Sequence, residues 1–163
     1  MYVSKEKIDN AINVFKKHGG ILRTSEVLDE GINRRTLYHM EEKGFLNKLE
    51  RGVYKLAGSG ILSNPDLAIV AKKIPKARVC LISALDFHEM TKEIPHKVHI
   101  ALPRTSRDPK LNHPPITVYR FSGDSLTEGI EKHEVDGVEV QVYRPTNTIS
   151  DCFPFRNKIL LDI

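Results

Sequence analysis

At 163 residues, with 40% hydrophobic and 28% charged side chains, the chain fits one ordinary domain or two small ones, and its composition excludes a disordered tail. No run of about 18 apolar residues occurs, which excludes a membrane-spanning helix, and the polar start MYVSKEKID lacks the apolar core of a secretory signal. The net charge of +4 is uneven: residues 1–58 carry 11 Lys+Arg against 8 Asp+Glu, and residues 59–163 carry 14 against 13, so the excess sits where a polyanion would be met.

Ile8, Ala11, Ile12 and Phe15 recur at helical spacing and predict an amphipathic helix over roughly residues 5–18, ended by Gly19-Gly20. Thr24 or Ser25 can cap a second helix, with Glu26 in its first turn and Gly31 as its stop. Asn33 then caps a third helix that runs to Gly44. Around that helix Thr36, Leu37 and Met40 point one way, while Arg34, Tyr38, Glu42, Arg35 and His39 fill the opposite arc. "FLNKLERGVYKL" reads as two strands joined at Arg51-Gly52, the glycine supplying a positive φ. Three helices and a hairpin in under 60 residues, with a short glycine-containing "EGIN" turn between the second and third, outline a winged helix-turn-helix.

"GSGILSNP" reads as a linker, with its central residues 59–64 separating a first domain at 1–58 from a second at 65–163. Asn64 caps and Pro65 begins a helix carrying Leu67, Val70, Ala71 and Ile74. "RVCLI" is a short apolar strand, and "SALDFHEMT" is helical with Ser83 and Asp86 at capping-box-like spacing. "KVHIAL" and "ITVYRF" are strands, and "IEKHEVDGVEVQVY" is a hairpin on Asp136-Gly137 with Val138, Val140 and Val142 on one face. "TISDCFPFRNKILLDI" is expected to be helical around Pro154. The fold class is therefore α+β: an N-terminal winged helix-turn-helix followed by a mixed α+β domain.

Laid out in this order, the chain resembles the AbiE-type abortive-infection antitoxins of type IV toxin–antitoxin systems. The matching stretches are "GGILRTSEVLDEGINRRTLYHMEEKGFLNKLERGVYKL", "LISALDFHEMTKEIPHKVHIALPR" and "SDCFPFRNKILLDI". The winged-helix part of that pattern is shared by other winged helices, and its combination with "VHIALPR" and "DCFPFRNK" makes the match specific. The resemblance implies a transcriptional repressor that binds repeats in its own operon's promoter. It also implies antidote activity against a nucleotidyltransferase-like toxin, without a tight antitoxin–toxin complex. Similar family members continue with more helix after "FRNKILLD", whereas this sequence stops at Ile163, as a short form or a fragment would.

The basic face of the third helix is the main functional candidate. Planar Arg34 and Arg35 forks suit guanine edges in a major groove, and Asn33 suits adenine or a phosphate. Tyr38 can donate to a phosphate, and His39 can lie along the backbone. A merely solvated surface is the competing explanation, favoured by Glu41 and Glu42. Arg23 and Thr24 precede the second helix, where Thr24 is either a phosphate ligand or a plain N-cap. Arg51 sits at the wing tip, while Lys48 and Lys55 supply general phosphate attraction or plain solubility.

Enzyme chemistry finds little support. His96 and His99 are three apart entering a strand, so they face opposite ways and share no ion easily. No metalloprotease helix, glycine-rich phosphate loop or nucleophile elbow occurs. A nuclease would place an acidic residue and a lysine two apart on a strand, and the nearest match, Glu139-Val140-Gln141, has Gln in the lysine position. "PRTSRDPK" offers Arg104, Arg107 and Lys110 as an anion-binding loop, or simply an exposed one. Cys80 and Cys152 show no metal or redox spacing and fit a reducing cytoplasm. The expectation is a cytoplasmic, non-enzymatic regulator of duplex promoter DNA, without cofactor or metal and with no membrane contact. A metal-dependent nuclease built on the second domain, or a protein-interaction module, is the alternative.

Overall fold

A computed structural model describes residues 2–152, and among these the fold is mixed α and β. The described residues divide into two compact units, the first running to Lys73 with Val135–Val138 added, the second comprising Ile74–Glu134 and the described residues from Glu139 on.

In the first unit, Ser4 accepts the Lys7 N–H at 3.4 Å and starts α1 (Lys5–Lys17), which buries Ala11 and Phe15. After Gly19-Gly20 comes a strand that periodicity did not predict, β1 (Ile21–Arg23), too short to show an alternation. Neither proposed cap precedes α2 (Thr24–Asp29): the helix begins at Thr24 itself, and the N–H of extended Arg23 donates to the Glu26 carboxylate at 2.9 Å. Asn33 does cap α3 (Arg34–Glu42), its Oδ1 accepting the Thr36 N–H at 2.8 Å. Thr36, Leu37 and Met40 are buried as the spacing predicts, and the Phe45 N–H returns to the Met40 carbonyl at 2.9 Å to close the helix. The wing is β2 (Leu46–Glu50) and β3 (Val53–Leu56), with Gly52 at φ 80° in the turn.

β3 is the middle strand of a sheet ordered β1-β3-β2 and pairs antiparallel with both neighbours. Leu22, Tyr54, Leu46 and Leu56 join Ala11, Phe15, Val27, Ile32, Leu37 and Met40 in one core. Alternate residues, Ile21, Val53 and Lys55, are also buried, which requires a cover on the other face of the sheet. That cover is α4 (Pro65–Lys73), which lies against β1 and β3 and buries Leu67, Ala68, Ile69 and Val70. The compact first unit therefore includes this helix, beyond residue 58. Asn64 Oδ1 accepts the Leu67 N–H at 3.3 Å, and Asp136 accepts the Ser63 N–H, Ser63 hydroxyl and Asn64 N–H at 2.7, 2.9 and 2.9 Å.

The second unit is built on β4 (Arg78–Val79), β5 (Val98–Pro103), β6 (Ile116–Phe121), β7 (Ile130–Val135) and β8 (Val138–Tyr143), ordered β6-β5-β4-β8-β7. β5–β6 and β4–β8 run parallel and β4–β5 antiparallel. The strand expected through "RVCLI" stops after two residues, because the chain turns at Cys80 and Leu81, whose φ is 51°, into α5 (Leu81–Phe87). Ser83 is thus inside the helix and caps nothing; its hydroxyl accepts the His99 N–H at 2.8 Å and holds β5. α5 packs on β5 and on α7 (Pro145–Cys152), with the short α6 (Asp124–Thr127) between β6 and β7. The β7–β8 turn, which counts with the first unit, falls on Asp136-Gly137 at φ 54° and 81°, and Val138, Val140 and Val142 are buried. The helix expected around Pro154 lies outside the described residues beyond Cys152.

Candidate nucleic-acid interface

The cap at Asn33 decides what the third helix offers. Its Oδ1 is used by Thr36, while the same amide keeps its N–H donors. The first turn then presents Arg34 and Arg35, both exposed, and Tyr38 follows one turn on at 50% exposure. Arg35 also donates to the Tyr2 carbonyl at 3.4 Å, and His39 is half-buried at the edge of this face.

The wing runs beside this helix. Tyr54 on β3 is buried, and burial pushes its phenol above the ordinary pKa, with Glu41 and Tyr38 adding to the rise and Arg34 opposing it. Three residues of α3 therefore act on one side chain of the wing. Tyr54 is not among the residues singled out from the sequence, although its place two residues before Leu56 on one strand face signals an inward side chain. Lys48 pairs opposite Tyr54 on β2, on the same side of the sheet, and is exposed. Register shifts between Lys48 and Glu50, leaving Leu49 as a bulge just before the turn.

At the tip, strand pairing gathers Arg23, Thr24 and Arg51. Arg23 is half-buried opposite Val53, and Arg51 is exposed. Thr24 gives both its N–H, at 2.9 Å, and its hydroxyl, at 3.4 Å, to the Gly52 carbonyl, so it anchors the turn. Two lysines from the end of α4 reach this tip. Lys72 pairs with both Glu26 oxygens at 3.0 and 3.1 Å, and Lys73 donates to the Arg51 carbonyl. Lys55 stands apart from the exposed group: it is 8% exposed on the sheet face under α4, with Nζ 3.5 Å from the Leu56 carbonyl.

Residues 11–57 match the family described as transcriptional regulator, AbiEi antitoxin. The match runs from the middle of α1 to the end of the wing and bears out the resemblance seen in the sequence. The matched segment contains Arg23, Arg34, Arg35, Lys48 and Arg51, the cations of the exposed basic face. No curated protein matches the chain.

Among the described residues there is no group of three or more His, Cys, Asp or Glu fit to hold a metal ion. His99 is fully buried with its ring 5.5 Å from that of Tyr119, and His96 is exposed, so the two do not converge. Glu139 pairs with Lys132 at 3.6 Å. In the loop after β5, Arg120 braces the backbone through the Pro103 and Ser106 carbonyls at 3.0 and 2.8 Å and pairs with Asp108, while Arg104, Arg107 and Lys110 are exposed. The Cys80 thiol is buried. Among the described residues no helix is long and apolar enough to cross a membrane.

Proposed function

We propose that this chain represses its own operon by binding promoter DNA through the winged helix. It is also the antitoxin counterpart of a nucleotidyltransferase-like toxin, acting without a tight complex and without chemistry of its own. The observation that carries the DNA-binding part is the pair Arg34 and Arg35, exposed in the capped first turn of α3 beside an anchored wing. The N-terminal part of such a helix faces base edges when it enters a major groove. Arg34 and Arg35 read bases, Asn33 reads adenine or a phosphate, and Tyr38 and His39 meet the backbone. Arg23, Lys48 and Arg51 hold phosphates on the flank, while Thr24 supports Gly52. The antitoxin part rests on the AbiEi match, and the second unit carries it.

The test is a titration of the full chain against duplexes tiled across the DNA upstream of its gene and against scrambled duplex. Arg34→Ala or Arg35→Ala should cost about 1–3 kcal/mol on the bound fragment and much less on scrambled DNA. Uniform loss on both DNAs would remove base reading from α3. Absence of binding to any upstream fragment would overturn the repressor role.

A further inference from the structure

We infer that Lys73 is a positioning residue of the nucleic-acid interface: it pins the wing turn through the Arg51 carbonyl and so aims the Arg51 guanidinium. This rests on the DNA-binding role proposed above. It makes α4 a working part of the winged helix, although the AbiEi match ends at residue 57.

A two-residue turn beside a bulge has few contacts of its own. Here the bulge at Leu49 and the positive φ of Gly52 leave the Arg51 and Gly52 carbonyls outside the strand ladder. Each is met by a donor from a different element. Thr24, at the start of α2, takes the Gly52 carbonyl, and Lys73, at the end of α4, takes that of Arg51. Both donors crowd the turn: a Cβ at Gly52 would lie 3.6 Å from Lys73 Nζ and from Thr24 Oγ1. The Lys73 bond is charge-assisted, hence stronger than its neutral neighbour. Its companion Lys72 bonds the Glu26 carboxylate, which also accepts the Arg23 N–H at 2.9 Å, so the end of α4 is tied to α2 as well. An arginine on a turn fixed beforehand loses less entropy on meeting a phosphate than one on a loose loop.

A half-buried lysine beside a wing turn has a simpler alternative use, as a phosphate ligand in its own right. A double-mutant cycle separates the two. Full-length Lys73→Met, Arg51→Ala and the double variant are titrated with the upstream fragment that wild-type protein binds, over a salt series. Backbone amide exchange at residues 51–53 is followed in the free proteins. Lys73→Met should weaken binding about three- to ten-fold and speed exchange at the turn, while adding no loss to Arg51→Ala. Lys73→Arg, which keeps a cationic donor, should restore both, with unchanged melting temperatures excluding general unfolding. An equal loss in the Arg51→Ala background, with the salt slope lowered by about 0.9, would make Lys73 a direct phosphate ligand and overturn the inference. Unchanged exchange at the turn would overturn it too. If wild-type protein bound no duplex, the DNA-binding role would fall, and that failure is separable because the exchange measurement needs no DNA.

Discussion

Lys48 and Lys55 belong to the same hairpin and carry the same charge, yet they face different surroundings. Lys48 lies opposite Tyr54 on the α3 side of the sheet, whereas Lys55 pairs opposite Asn47 and Ile21 on the side covered by α4. A hairpin seen alone exposes both faces, so the sequence places both ammonium groups in solvent. Only the burial of Ile21 and Val53 alongside Lys55 reveals the helix on top. Lys48→Ala should therefore weaken operator and scrambled DNA alike and flatten the salt slope by about one unit. Lys55→Met should leave the slope untouched and the melting temperature level or higher, since a long apolar side chain replaces a buried charge. Salt titrations and thermal melts of the two variants check this, and an equal fall in slope for both would mean that Lys55 leaves its buried position to reach DNA.

Among the elements, α3 was the most legible, because Asn33, the Thr36-Leu37-Met40 stripe and Gly44 agree on one helix in one register. β1 was hidden: three residues show no period, and its partner β3 lies some thirty residues away. The start of α4 was legible from Asn64-Pro65, but its place was not, since Asp136 supplies the deciding contacts from far along the chain. Burial raises the Asp136 pKa, but donors from Ser63 and Asn64 outweigh it and hold the carboxyl below its usual value. A lowered folded pKa contributes stability that is present above the unfolded value of about 3.9 and lost as pH falls through the folded value. Asp136→Asn suits the left-handed turn position but sets an amide where a charged acceptor stood. It should lower stability by about 1–2 kcal/mol at neutral pH, with the gap to wild type closing as the pH falls below about 4. Urea midpoints at pH 7, 5 and 3 measure the gap, and a gap constant with pH would assign the loss to packing.

For the whole molecule, the sequence predicted an α+β chain in two parts, with the basic excess at the front. It could not predict that β5–β6 and β4–β8 run parallel, because apolar runs such as "VHIAL" pair equally well in either direction. It also had no means to tell which cations are already occupied. Of the six basic residues expected at the interface, Lys55 is buried, leaving Arg23, Arg34, Arg35, Lys48 and Arg51. The Lys72 charge is neutralised by Glu26, so α4 adds structure there more than free charge. Three phosphate contacts, from Arg23, Lys48 and Arg51, set a log–log salt slope of about −2.7 per bound protein at about −0.9 per contact, and about −4.5 if Arg34 and Arg35 meet phosphates instead of bases. A slope of about −5.4 would instead require all six cations on phosphates, Lys55 included. A flat slope would sink DNA binding however tight the complex, since an apolar or purely base-stacking contact releases no counterions. Fluorescence anisotropy of one labelled promoter duplex from about 50 to 200 mM salt spans enough range to separate these outcomes. The same slope for scrambled DNA, at weaker affinity, would place the specificity in the Arg34–Arg35 turn and the electrostatics in the wing.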